Sequence, residues 1–186
     1  MKRILPVRER SVPSCFLLLV TLFCVSNAVF AEEEDHFFEF GLGAGESLNG
    51  LGTGQLLLMP ALNLKIRGTE LLRLRVEGDM ETIYDNGQGM TVGGIAPFLR
   101  VVMPSEGLRP FLEIGGGPNL ADRNDLGGRR LGGRFCFSAM AGAGVELVTR
   151  ERVISLSYRV RHLSNANLYV WNQGLNSQYI ILSVGF

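Results

Sequence analysis

Eight segments of alternating apolar and polar residues, a glycine-rich composition without a long apolar run after Ala31, and a C-terminus that alternates up to a final Phe186 together predict one fold class. The chain reads as all-β, an eight-stranded antiparallel transmembrane β-barrel. Alternation with period two places successive side chains on opposite faces of a strand. A closed barrel crossing a bilayer needs an even number of antiparallel strands of roughly 9–11 residues or more.

The first 31 residues stand apart from that pattern. Lys2, Arg3, Arg8 and Arg10 form a basic start, Cys15 to Val25 is apolar except for Thr21, and Val29-Phe30-Ala31 supplies small residues where a signal peptidase would cut. The apolar core is too short to span a bilayer, which takes about 20 residues. Phe23 before Cys24 is too bulky for a lipoprotein signal. Residues 1–31 are therefore expected to be a cleaved signal peptide, and residues 32–186 a single outer-membrane β-barrel domain.

Removal of that signal changes the balance from 18 basic and 18 acidic residues to 14 and 17, a net charge near −3 with no basic patch. Nucleic acid is excluded as a partner on that ground. Cys15 and Cys24 leave with the signal, so Cys136 has no partner for a disulfide.

The predicted strands follow in order at 36–45, 54–66, 71–83, 90–102, 109–120, 134–148, 151–162 and 177–186. The third is the clearest: from Leu72 to Glu81 one face is mostly apolar while Arg73, Arg75, Glu77, Asp79 and Glu81 occupy the other. In the sixth, every odd position from Phe135 to Leu147 is apolar. The charges Arg73, Arg75, Glu77, Asp79, Glu81, Arg100, Arg134, Glu146, Arg159 and Arg161 are then expected to pair inside a filled barrel that has no pore. His36 falls at the inner, periplasmic edge. In the last strand Ile180, Leu182, Val184 and Phe186 alternate, the form of terminal strand that barrel-assembly machinery recognises.

Connection lengths set the orientation. Arg67–Glu70, Met103–Leu108 and Thr149–Arg150 are short, whereas Glu46–Thr53, Tyr84–Gly89, Ala121–Gly133 and the segment before Asn176 are longer. Outer-membrane barrels have short periplasmic turns and longer outer loops. The seventh strand therefore runs outward, with His162 at its outer end. Ile154, Leu156, Tyr158 and Val160 share the parity of His162 and Ser164, so that face looks at lipid.

His162 and Ser164 place a base two residues from a hydroxyl nucleophile, on one face and at the level of the outer leaflet. Asn165, Asn167, Asn172 and Asn176 follow with Gly174 among them. Asparagine amides can brace an imidazole or donate to an oxyanion, and the same residues also favour turns. Neither Gly41–Gly45 nor Gly115–Gly117 precedes a helix signal, and the chain has neither a Cys pair nor a His-x-x-x-His, so no cofactor and no metal are expected. Trp171 and Tyr169 suit the aromatic belt at a membrane interface.

The run Tyr158-Arg159-Val160-Arg161-His162-Leu163-Ser164-Asn165-Ala166, followed by Asn172-Gln173-Gly174-Leu175-Asn176, resembles the lipid A 3-O-deacylases of the PagL type. The blocks Arg109–Gly117, Phe135-Cys136-Phe137 and Gly142-Ala143-Gly144 are similar too. The resemblance implies hydrolysis of the 3-O-linked acyl ester of lipid A in lipopolysaccharide, a serine esterase activity at the bacterial outer membrane. It implies Ser164 as nucleophile, His162 as general base, Asn172 at the oxyanion and Asn165 in support. Asn176 stands where the best-known members have a glutamate that orients the histidine, Asn167 where glycine is common, and Trp171 where proline is common.

Lipopolysaccharide, outer-membrane lipids and the barrel-assembly machinery are the expected partners, with a homodimer left open. Two other readings fit the residues: a non-catalytic small outer-membrane barrel serving as an adhesin or membrane-stability protein, and an esterase or acyltransferase acting on phospholipid.

Overall fold

The computed structural model describes residues 36–49, 54–66, 68–85, 87–149 and 152–186. The expected signal peptide and its junction with the barrel, residues 1–35, lie outside the described residues. Ten strands follow in chain order: β1 (His36–Ser47), β2 (Gly54–Lys65), β3 (Leu72–Asp85), β4 (Gln88–Val102), β5 (Leu108–Ala121), β6 (Asp125–Leu126), β7 (Arg129–Arg130), β8 (Phe135–Val148), β9 (Val153–Ser164) and β10 (Leu175–Gly185). Eight of them close a barrel in the order β1-β10-β9-β8-β5-β4-β3-β2, all neighbours antiparallel. The seam is β1 on β10, running from Glu39↔Gly185 to Ser47↔Ser177. Closure leaves no unpaired edge, which hydrocarbon would not tolerate.

Period two decides which side chains face outward. On β9 Ile154, Leu156, Tyr158 and Val160 are exposed while Ser155, Ser157, Arg159 and Arg161 are buried. Leu112 and Ile114 on β5 and Ile180 and Leu182 on β10 continue the outward apolar band around the barrel. In water such a surface would be a liability; facing acyl chains, it is the membrane-spanning wall.

The barrel interior holds the charges in pairs. Arg159 reaches Glu77 and Glu113 at 2.7 Å each, Arg100 reaches Glu113 at 2.8 Å, Arg73 reaches Glu146 at 2.9 Å and Arg161 reaches Asp79 at 3.1 Å. Arg75 pairs with Glu77, and Arg161 with Glu81. Glu39 takes Arg75 at 3.4 Å and Arg100 at 3.5 Å. The guanidinium carbons of Arg100 and Arg159 lie 4.1 and 4.5 Å from the ring centroids of Phe111 and Phe98. Room for those rings comes from glycine: a Cβ on Gly115 would sit 2.5 Å from Phe98, and one on Gly144 2.6 Å from Phe111.

Three expectations need correcting. Arg134 is not an interior charge; β8 begins at Phe135, so Arg134 lies in the preceding loop, exposed, with Nε donating to Ala121 O at 2.8 Å. The predicted outer loop 84–89 is a tight connection, because β3 and β4 stay paired out to Asp85↔Gln88 and Gly87 turns with φ of 78°. The segment 121–133 carries a small hairpin, β6–β7, instead of being an open loop.

That hairpin closes the outer end of the lumen. Leu126 and Leu131 pack with Ile83, Met90, Val92, Ala121, Cys136, Leu163 and Leu175 in a buried apolar cluster. The lumen is thus charged in its middle and apolar beneath the outer loops.

Candidate functional site at the outer rim

Ser164 is the last residue of β9, and Asn176 is the second residue of β10. Sequence periodicity starts the final strand two residues later, so Asn176 was expected in the loop; β-pairing instead makes it the register partner of His162. Directly opposed residues of an antiparallel pair bring their side chains together on one face. His162 Nδ1 and Asn176 Oδ1 are 2.6 Å apart. A carbonyl oxygen only accepts, so Nδ1 is the donor in this contact, and in the neutral ring that arrangement leaves the Nε2 lone pair free. His162 is exposed on the lipid-facing side, and Ser164, of the same parity, is partly exposed beside it. Among the described residues the Ser164 hydroxyl has no hydrogen-bond partner, so it is not bonded to His162 in this state. Catalytic bonds of this kind often form only once substrate is bound.

The loop beyond Ser164 turns sharply. Leu168 N–H donates to Asn165 O at 3.0 Å, and the two residues between, Ala166 and Asn167, have φ of 50° and 63°. Left-handed backbone at both central positions is the type I′ pattern, which favours Gly or Asn and strains alanine. Asn165 points the other way, fully buried, with Nδ2 donating to Leu131 O and Trp171 O at 2.5 Å each. It ties the loop to the lumen plug. Asn172 Oδ1 accepts from Asn165 N–H at 3.0 Å, and Asn172 Nδ2 donates to Asn167 Oδ1 at 2.9 Å. The three asparagines therefore hold one another.

Asn49 and Arg129, which sequence reading did not single out, complete a clasp around Gly174. Asn176 N–H donates to Asn49 Oδ1 at 2.5 Å, and Arg129 donates to Asn49 O at 3.3 Å, Gly174 O at 3.3 Å and Gln173 O at 3.4 Å. One guanidinium thus joins the first and last outer loops through the hairpin. Gly174, with φ of 60°, passes so close to the imidazole that a Cβ there would lie 3.1 Å from His162 Cε1. Gly174→Ala is expected to keep the barrel folded, shift the ring, and cut turnover by up to about 10²-fold. Gel mobility of the folded barrel together with a lipid hydrolysis assay would check this, and full activity would show that the ring position is not set there.

A closed barrel with an apolar belt and a polar cluster at its outer rim defines a bacterial outer-membrane protein. The family model for lipid A 3-O-deacylase (PagL) matches residues 61–185. In fold, the chain is similar to the crystal structure of the outer membrane enzyme PagL, with TM-score 0.61 and 21% identity over 78% of this chain and 97% of that one. It is also similar to Neisserial surface protein A, with TM-score 0.57 and 16% identity over 81% of this chain and 94% of that one. No curated protein matches the chain in sequence. The chain belongs to the lipid A 3-O-deacylase (PagL) family. It is a lipid A deacylase of the bacterial outer membrane, a hydrolase whose substrate is the lipid A of lipopolysaccharide.

Proposed function

We propose that the 3-O-linked acyl ester is cleaved by Ser164 acting as nucleophile with His162 as its general base. The observation that carries this reading is the His162 Nδ1–Asn176 Oδ1 contact of 2.6 Å, which directs Nε2 away from the brace on the face that carries Ser164. Nε2 takes the Ser164 proton as Oγ attacks the ester carbonyl. The tetrahedral intermediate collapses, the sugar 3-oxygen leaves with that proton, and water then releases the fatty acid from Ser164 by the same steps in reverse. Asn172 and backbone N–H groups of the 165–174 loop donate to the oxyanion. One hydrogen of Asn172 Nδ2 is directed to Asn167, which leaves the other for substrate. Asn165 supports the loop from beneath.

Asn176 gives this enzyme a neutral brace. It fixes the tautomer and orientation of His162 but adds no negative charge to stabilise the imidazolium formed during attack. An ionised acceptor makes a bond roughly twice as strong as a neutral one, about 1 kcal/mol more here. Asn176→Glu is therefore expected to raise kcat roughly fivefold, and Asn176→Ala to lower it. Single-turnover hydrolysis by the three proteins would measure this; equal rates in all three would remove Asn176 from the mechanism.

The reaction itself is tested by mass spectrometry of lipid A from cells expressing the protein. Loss of one 3-O-linked acyl chain is expected. Unchanged lipid A from cells with a correctly folded barrel would refute the reading.

A further inference from the structure

Two adjacent arginines on β7 are held in opposite ways. Arg129 turns inward and uses its guanidinium on the three backbone carbonyls of the clasp. Arg130 is fastened only by its backbone: its N–H donates to Gln173 Oε1 at 2.7 Å, and its C=O accepts from Gln173 N–H at 3.1 Å. Its side chain is exposed, with Cζ 5.3 Å from the centroid of the Trp171 ring. Among the described residues that guanidinium has no hydrogen bond and no ion pair, not even with Asp125, its register partner across the hairpin. The neighbouring cations are engaged: Arg134 bonds Ala121 O, and Arg123 lies 3.7 Å from Asp122.

A cation–π contact with the indole takes none of the guanidinium's N–H donors, which stay available. Such a planar, permanently charged fork matches two oxygens of a phosphate. Its position is also informative, because Gln173 immediately precedes Gly174, the residue that abuts His162. We propose that Arg130, beside Trp171, binds a phosphate group on the sugar headgroup of the lipid substrate and thereby sets which ester meets Ser164. This rests on the deacylase reading above and adds a headgroup contact to it.

The test uses the full-length barrel in detergent micelles, with lipid A carrying its phosphates and with dephosphorylated lipid A. The native protein is expected to prefer the phosphorylated lipid by about tenfold in kcat/KM, mainly through KM, as one charge-assisted contact allows. Arg130→Gln is expected to abolish that preference, and Trp171→Leu to weaken it. An Arg130→Gln protein that keeps the preference, or that loses activity equally on both lipids, overturns the proposal. A binding arm separates this from failure of the deacylase reading. Native mass spectrometry of Ser164→Ala protein should show about tenfold more phosphorylated than dephosphorylated lipid retained, lost again in Ser164→Ala/Arg130→Gln. Inorganic phosphate serves as competitor. If it binds at Arg130 while the two lipids are retained equally, the site takes free phosphate and the headgroup assignment falls.

Discussion

Ser164→Ala and His162→Ala are each expected to lower deacylation by about a thousandfold or more, within the range lost when a general base is removed. The double variant should fall scarcely further. A nucleophile and its base act as one unit, so once either is gone the other has nothing left to do, and the losses do not add. Each residue is otherwise dispensable to the fold. Both lie on the lipid-facing side, and the Ser164 hydroxyl bonds no other described residue. Among the described residues, His162→Ala removes a single hydrogen bond, the one with Asn176. Folded-barrel mobility should therefore be unchanged in all three variants, with mass spectrometry of lipid A as the activity readout. Losses that multiply in the double variant would show that the two residues act independently. A Ser164→Ala protein as active as the native one would remove the acyl-enzyme altogether.

The wall of the barrel was legible because membrane strands obey one strong local rule. From Leu72 to Glu81, for example, parity alone separates lipid-facing from lumen-facing positions, and the structure keeps that separation. Strand ends were less legible. Asp85, Gln88 and Asn176 extend their strands by pairing with a neighbour, and polar residues in alternate positions at a water-exposed rim carry no hydrophobic period to announce it. His162 and Ser164 could be placed on one face from spacing alone. Their support from Asn49 and Arg129 could not, because these come from two other outer segments and meet the loop carrying Gly174 through backbone carbonyls. Any residue type can present a carbonyl, so such contacts leave no pattern in the chain. Leu126 and Leu131 were hidden for a related reason. Two leucines in a glycine-rich loop read as ordinary connection until the hairpin folds them over the lumen.

The other large effect is expected inside the barrel, where five arginines, 73, 75, 100, 159 and 161, face six carboxylates, 39, 77, 79, 81, 113 and 146. Glu77 and Arg159 are both fully buried, and each serves two partners: Glu77 holds Arg75 and Arg159, and Arg159 holds Glu77 and Glu113. Removing either member takes a counter-charge from two buried ions at once, in a place that water does not reach. Glu77→Leu and Arg159→Met are each expected to destabilise the barrel by about 3–5 kcal/mol. The double variant should lose much less than the sum. With both gone, only Arg75 and Glu113 have lost a partner, no more ions than in either single variant; Arg75 keeps Glu39 at 3.4 Å and Glu113 keeps Arg100 at 2.8 Å, while Leu and Met occupy much of the vacated volume. Urea titration of barrels folded into lipid vesicles gives all four corners of this cycle. Strong positive coupling between the substitutions is the expected outcome. Additive losses would mean that each side chain stabilises the barrel on its own, Arg159 through its contacts with the Phe98 ring and Met59, with charge pairing a minor part. The distinction matters for the site, because Arg159 and Arg161 lie on β9 with His162 and Ser164. If pairing in the lumen fixes that strand, the charged interior is what holds the lipid-facing pair in register.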